Sequence, residues 1–226
     1  MSERLEVSYG EAHWLNLSRL RGEAVKLMKP LAGIHVNCLA YGSIARGDVR
    51  PTSDVDVFVP SPPDPALMEA ALERAGIRAE SREIVQATPG YAAKGYVYTG
   101  ERTGYSFPLT PLLPSEREFY SFAGSATLDD LAGWKRVPGV DKRLMLIEPT
   151  TAGHVESTIR GREGEVAHLL GVDTRIVMER VRTLDRREQV GRTGVYLKRV
   201  LAPDEGFGEA LRELSLRRPF LRKRMR

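Results

Sequence analysis

The sequence predicts an α/β protein in which a mixed sheet carries helices on one face, followed by a smaller, basic, winged-helix-like domain. Three observations lead to this fold class. Helical and strand patterns alternate through residues 11–110 in the order helix, strand, helix, strand, helix, strand, strand. A glycine–serine turn and a pair of alternating aspartates follow the first strand. Basic residues are concentrated in residues 151–226.

The first predicted elements are a helix over Glu11–Lys29 and a buried strand over Ile34–Tyr41. Apolar residues recur in the helix at spacings of three and four. We expect Pro30 to end it, because proline has no backbone N–H and clashes with the preceding turn. Cys38 is the single cysteine of the chain. An intrachain disulfide is therefore excluded, and a reducing, cytoplasmic compartment is expected.

The turn after this strand has the composition of a phosphate-binding site. Gly42-Ser43 joins the strand to a helix that is predicted to begin near Ile44. Backbone N–H groups at a strand-to-helix turn point outward and can bind phosphate. Gly42 has no side chain to block close approach, and Ser43 adds a hydroxyl donor. The turn therefore predicts phosphate binding.

The next strand carries two aspartates that alternate with valines. Asp54 and Asp56 share one face, with Cα atoms about 6.6 Å apart, whereas Val55 and Val57 face a core. Two neighbouring carboxylates repel each other, and a divalent cation relieves that repulsion. Oxygen ligands suit Mg²⁺ or Mn²⁺. A phosphate cradle beside such a metal site is the apparatus of phosphoryl or nucleotidyl transfer.

These residues resemble the signature of the DNA polymerase beta nucleotidyltransferase superfamily. Gly42-Ser43 is followed by a gap of ten residues and then by Asp54-Val55-Asp56. The resemblance implies a polymerase-beta-type mixed sheet and an NTP substrate. It assigns the NTP to Gly42, Ser43, Arg46 and Ser53. It assigns the metals to Asp54 and Asp56.

Members of that superfamily normally supply a third carboxylate from a neighbouring strand, which acts on the attacking hydroxyl. Residues Tyr105–Leu112, where we expect it, contain no acid, and Thr110 stands near its place. The substitutes are Glu80 and Glu83, on a strand predicted over Ile77–Gln86. Glu83 is the candidate catalytic residue, because it is an acid on a mostly apolar face.

The remaining N-terminal elements follow from turn and periodicity signals. Gly76 ends a helix, a glycine- and tyrosine-rich hairpin follows, and a short linker separates two domains, 1–150 and 151–226. The predicted elements are a helix over 65–75, a hairpin over 90–104, a strand near 105–110, a helix over 116–122, a strand over 144–147 and a linker over 148–153.

The C-terminal third resembles a winged helix. Residues 165–173 predict a helix, a glycine turn and a new N-cap, Thr174–Leu184 predicts a second helix, and Val190–Leu197 is the candidate wing. Residues 151–226 carry 17 Lys and Arg against 11 Asp and Glu, a net charge of +6, whereas the other residues total −2. This segregation predicts contact with RNA or DNA through residues 160–226.

Two functional hypotheses follow. The first is an enzyme, a Mg²⁺-dependent nucleotidyltransferase that acts on an RNA, a protein or a small molecule. The second is a nucleotide-sensing, nucleic-acid-binding regulator that has lost catalysis together with the third carboxylate. No apolar run approaches the ~20 residues that span a bilayer, so no membrane partner is expected.

Overall fold

A computed structural model describes residues 4–191 and 194–225 of the chain. These residues form helices and strands that alternate along the sequence, as the predicted fold class requires. In chain order the elements are β1 (Arg4–Ser8), α1 (Glu11–Ala32), β2 (Leu39–Tyr41), α2 (Ser43–Arg46), β3 (Val55–Phe58), α3 (Pro65–Arg74), β4 (Ser81–Gln86), β5 (Ala93–Gly100), β6 (Thr103–Pro108), α4 (Pro114–Ala123), β7 (Ser125–Ala126), α5 (Leu128–Ala132), β8 (Gly139–Val140), β9 (Met145–Pro149), β10 (Gly153–Thr158), α6 (Glu163–Leu170), α7 (Thr174–Val190), β11 (Leu197–Val200), α8 (Phe207–Arg217) and α9 (Pro219–Arg224).

The chain divides into two compact units, and each unit takes three separate stretches of sequence. The first unit contains residues 1–25, 40–53 and 114–193, and the second contains residues 26–39, 54–113 and 194–226. This division differs from the predicted one at residue 150, because residues 151–226 are shared between the two units. The predicted linker forms the turn between β9 and β10, which pair as an antiparallel hairpin.

The second unit contains a sheet with the strand order β11-β4-β5-β6-β3. The β3–β6 pair is parallel and the other pairs are antiparallel, so the sheet is mixed. One face is apolar: Val57 lies opposite Tyr105, which lies opposite Val97, and all three are buried. The Tyr105 hydroxyl donates a 2.8 Å hydrogen bond to the Leu27 carbonyl oxygen near the end of α1.

The first unit has its own antiparallel sheet, in the order β1-β10-β9-β8, and a separate pairing of β2 with β7. Helices α4, α6 and α7 enclose its core together with β8 and β9. The buried members of this core are Phe122, Val140, Leu144, Leu146, Ile159, Val166, Ala167, Ile176 and Val177.

Two predicted boundaries are wrong for local reasons. Helix α1 continues through Pro30 to Ala32. Proline removes a single N–H near the end of this helix, so it costs much less there than at a central position. Strand β2 is three residues long, beginning at Leu39, because His35 has a left-handed φ of 58° that no extended strand contains.

The C-terminal helices confirm part of the prediction. Gly171 separates α6 from α7 with a left-handed φ of 64°, as predicted for the glycine turn. The winged-helix fold is not confirmed. Residues 192 and 193 of the candidate wing lie outside the described residues, and β11, which begins at Leu197, pairs with β4. None of the helices in the described residues has the length and apolarity required to cross a membrane.

Candidate active site: a glycine–serine turn and a carboxylate strand

The glycine–serine turn has a backbone that only glycine adopts readily. Gly42 has φ 76° and ψ −140°, and Ser43 follows it as the first residue of α2. No atom outside its immediate neighbours lies within 4 Å of the position that a Gly42 Cβ would occupy. Glycine is therefore required here by the dihedral angles, and the open space beside it leaves room for a ligand.

The structure brings Ser43 and Ser53 together, as the motif predicts. The Ser43 hydroxyl donates to the Ser53 hydroxyl over 3.3 Å. Ser53 also accepts a 2.9 Å hydrogen bond from the Arg50 N–H. Ser53 directly precedes Asp54 in the sequence. The residue before the carboxylate strand is therefore hydrogen-bonded to the glycine–serine turn.

Arg46 has a different role from the predicted one. Its guanidinium is 5% exposed and donates to the Ala123 carbonyl oxygen over 2.6 Å. It also forms two hydrogen bonds with the Asp48 carboxylate, at 3.0 and 2.9 Å. Its N–H donors face the interior of the first unit. Arg46 therefore stabilises the end of α2 and is not placed to bind a phosphate.

Two further residues hold this short helix, and sequence reasoning missed both. Buried Arg21 donates to the Ile44 and Ala45 carbonyl oxygens, at 3.0 and 3.1 Å. His13 Nε2 and the Gly47 carbonyl oxygen are 2.7 Å apart. Burial lowers the pKa of Arg21 to about 10, which still leaves the guanidinium charged at neutral pH. The sequence does contain one signal for the role of Arg21, because this arginine lies within the apolar stripe of α1.

The carboxylate strand follows the predicted alternation. Val55 and Val57 are 1% and 0% exposed, whereas Asp54 and Asp56 are exposed. The Val55 N–H donates a 2.7 Å hydrogen bond to the Arg102 carbonyl oxygen, which fixes the beginning of β3 beside β6. Both carboxylates are therefore accessible to a ligand, and their role in holding a metal remains a prediction.

The strand beside β3 supplies no third carboxylate. Asp56 lies opposite Gly104 of β6, and Phe58 lies opposite Ser106. A Cβ at position 104 would lie 2.8 Å from the Val97 carbonyl oxygen, so this position also lacks room for a side chain. Thr110, near which the acid was expected, is buried and accepts a 3.0 Å hydrogen bond from the Ala93 N–H.

Glu83 does not join the aspartates. It lies on the other side of β5 and β6 from β3, and its register meets β3 at Phe58, two residues from Asp56, so Glu83 is more than about 14 Å from Asp56 at ~4.8 Å per strand. Its carboxylate is 8% exposed and forms a 3.0 Å ion pair with Lys198. The assignment of Glu83 as the third site carboxylate is therefore corrected. Within residues 4–191 and 194–225, no three His, Cys, Asp or Glu side chains converge on a metal position.

Two tyrosines occupy the same face between these acids. Tyr98 lies opposite Gly104, and Tyr96 lies opposite Ser106 and Glu83. Their rings are nearly parallel, at 13°, with centroids 6.1 Å apart. Burial, and then Tyr98, Asp56 and Glu83, raise the pKa of Tyr96 to about 12. Burial, and then Glu83 and Asp56, also raise the pKa of Tyr98.

The donor set fits a divalent cation of the Mg²⁺ type. Mg²⁺ commonly keeps several waters and binds through one or two carboxylates together with the phosphates of a substrate. Asp54 and Asp56 are two exposed carboxylates that are two residues apart in the sequence, so the chain offers the number of protein ligands that such a site needs. Such a site does not require a cluster of three acids.

The basic residues of segment 160–226, which is predicted to contact nucleic acid, differ in their surroundings. Arg175 is held by the N-cap of its own helix, with its Nη2 2.6 Å from an Asp173 oxygen. Arg182 is exposed on α7, and Arg222 and Lys223 are exposed on α9. The last three side chains are therefore accessible to a polyanion.

Comparison with known proteins identifies the domain that contains these residues. Residues 21–105 match a family model described as a nucleotidyltransferase domain. The matched segment extends from α1 to β6 and includes the glycine–serine turn and the carboxylate strand. Comparisons with curated proteins and with solved structures gave no match.

Proposed function

From the nucleotidyltransferase domain in residues 21–105, we propose that the protein is a Mg²⁺- or Mn²⁺-dependent enzyme that transfers a nucleoside monophosphate from an NTP to an acceptor hydroxyl. The observation that carries this proposal is the exposed pair of Asp56 on β3 and Asp54 directly before it. The preceding residue, Ser53, bonds to Ser43 of the glycine–serine turn. The predicted phosphate donors and metal ligands thus have the order and spacing of the motif that they resemble.

Each residue has a stated part in the transfer. Asp54 and Asp56 would ligate the metal, which supplies charge stabilisation to the α-phosphate when it is bound. Gly42 and Ser43 would donate hydrogen bonds to the β- and γ-phosphates. The acceptor oxygen bonds to the α-phosphorus, the bond between the α-phosphorus and its bridging oxygen breaks, and pyrophosphate leaves. The acceptor proton passes to water, since β6 carries no acid.

The acceptor that we favour is RNA, including tRNA, with a protein or a small molecule as the other candidates. Residues 160–226 would contact the acceptor, because this end of the chain carries the positive charge and exposes Arg182, Arg222 and Lys223. The experiment that tests the function is incubation of the purified chain with labelled NTPs, Mg²⁺ or Mn²⁺, and total RNA. Covalent transfer of label to RNA supports it, and absence of transfer to RNA, protein and small molecules with every NTP and metal contradicts it.

Replacement of Ser43 tests the turn. We expect Ser43→Ala to raise the KM for the NTP about tenfold with a smaller change in kcat, because one hydrogen bond to a charged phosphate is lost. Steady-state kinetics with a single NTP measure both constants. Ser121→Ala, which removes an exposed hydroxyl from the end of α4, is the matched control and should change neither constant.

Salt dependence tests the contact with nucleic acid. We expect the double variant Arg222→Gln, Lys223→Gln to lower the slope of log affinity against log salt by about one to two for duplex DNA or tRNA, since each contacted phosphate contributes about 0.7 to 0.9. Arg74→Gln with Arg78→Gln removes the same charge from exposed positions elsewhere and should leave the slope unchanged. Equal slopes in all three proteins would contradict contact through α9.

A second candidate function is a nucleotide-sensing regulator without catalysis. The observation in its favour is Gly104 and Ser106, which occupy the sheet face beside Asp56 where a third acid is expected. Metal-dependent NTP binding with no label transfer to any acceptor would support this candidate over the enzyme.

A further inference from the structure

We propose that Tyr98, together with Tyr96, forms a stacking surface for the nucleobase of the NTP. This inference rests on the proposed function, because it concerns the base of the nucleotide whose phosphates Asp54 and Asp56 would receive through a metal. The two tyrosines and the two aspartates belong to the same compact unit. Tyr98 and Asp56 also lie on the same face of its sheet, in register through β6.

The register places the tyrosine at the distance of a nucleoside. Asp56 lies opposite Gly104, and Gly104 lies opposite Tyr98. Two strand spacings separate the Cα atoms of Asp56 and Tyr98 by about 10 Å. That separation is within the span of one nucleotide, from its α-phosphate to its base.

Gly104 lies next to the tyrosine ring. A Cβ built on Gly104 would lie 3.4 Å from Cδ1 of Tyr98, in ordinary van der Waals contact. The edge of the Tyr98 ring therefore lies beside the space above Gly104. Position 104 lies between Tyr98 and Asp56 in the register, and glycine places no side chain there.

The two rings match the requirements of base stacking. They are nearly parallel and both are half-buried, so each ring keeps an accessible part on which a base could stack. Every nucleobase has a π-face, and stacking on an aromatic side chain contributes substantially to affinity without requiring a particular base. Tyrosine also loses little conformational freedom when it binds, because it has two rotatable side-chain bonds.

The phenol groups can add hydrogen bonds to this contact. Neither phenolic oxygen forms a hydrogen bond with another of the residues that the structure describes. The raised pKa values of Tyr96 and Tyr98 keep both phenols protonated at neutral pH. Each phenol can therefore donate to a ring nitrogen or a carbonyl oxygen of a base.

Fluorescence of a nucleotide analogue tests the proposal. The probe is 2-aminopurine riboside triphosphate with Mg²⁺, whose emission is quenched when its base stacks. We expect Tyr98→Leu to weaken its affinity about tenfold and to remove the quenching. Tyr98→Phe, which keeps the ring, should retain the quenching and most of the affinity. Inorganic tripolyphosphate with Mg²⁺ has no base, and Tyr98→Leu should bind it as the wild type does.

Each outcome separates the base contact from the rest of the site. Equal affinity of Tyr98→Leu and wild type for the analogue overturns the proposal. A proportional loss of tripolyphosphate affinity in Tyr98→Leu also overturns it, because the ring would then act only by supporting the sheet. Weaker binding of an oligoribonucleotide, with unchanged binding of the analogue, would assign the ring to the acceptor and overturn the assignment to the NTP.

The proposed function fails on a different variant. If Asp56→Asn binds tripolyphosphate and Mg²⁺ as tightly as the wild type, the metal assignment is wrong. The difference in quenching between Tyr98→Leu and Tyr98→Phe does not depend on that result, because quenching detects only the stacking of the base.

Discussion

Asp54→Asn and Asp56→Asn are expected to abolish Mg²⁺-dependent NTP binding and to lower transfer at least a thousandfold, while leaving the fold intact. The metal contributes several kcal/mol of charge stabilisation, and an amide is a much weaker ligand for Mg²⁺ than a carboxylate. Both side chains are exposed, and the buried Val55 and Val57 that alternate with them are unchanged. Calorimetric titration with a non-hydrolysable NTP and Mg²⁺ measures the binding, and far-ultraviolet circular dichroism checks the fold.

Glu73→Gln is the matched control for these variants, because it neutralises an exposed carboxylate on α3 of the same unit. It should bind NTP and Mg²⁺ as the wild type does. If both aspartate variants also retain wild-type affinity, the strand carries no metal site, and the exposed carboxylates belong to an ordinary solvated strand.

The second large effect concerns stability. We expect Arg46→Met to lower the free energy of unfolding by about 3–5 kcal/mol, because it leaves the Asp48 carboxylate without its partner in a mostly buried position. The variant also removes the hydrogen bond to the Ala123 carbonyl oxygen. Chemical denaturation measures the change, and exposed Arg50 replaced by Met is the control, with little expected effect.

A double-mutant cycle separates the ion pair from the rest of the Arg46 contacts. The variant Arg46→Met with Asp48→Ala should recover part of the lost stability, with a coupling energy of about 1–3 kcal/mol. The alternative is that Arg46 binds a phosphate. If it is correct, Arg46→Met should have the same free energy of unfolding as the wild type and a lower affinity for the NTP. This result would contradict a structural role of Arg46.

The local chemistry of the site was predictable from the sequence because short-range rules govern it. The alternation around Asp54 and Asp56 depends on the period of a strand, and the observed burial of Val55 and Val57 follows it. The conformation of Gly42 is likewise a local property. The family match over residues 21–105 is consistent with the resemblance that these residues carry.

The remaining features depend on long-range pairing, which no local pattern contains. The separation of Glu83 from Asp56 follows from two strands that lie between them in the sheet. The interior position of Arg46 depends on Ala123, which is 77 residues further along the chain. The winged-helix prediction used the pattern of residues 190–197 alone, and it could not include the pairing of β11 with β4.

The pairing of β11 with β4 also has a consequence for biosynthesis. Leu197 lies opposite Gln86, so β4 pairs with a strand that the ribosome makes more than a hundred residues later. Until then β4 is the last strand on its side of the nascent sheet, with unpaired N–H and C=O groups that can recruit another chain. Products of premature termination before Leu197 should therefore be retained by chaperones or accumulate as aggregates, even though they contain the whole domain at residues 21–105.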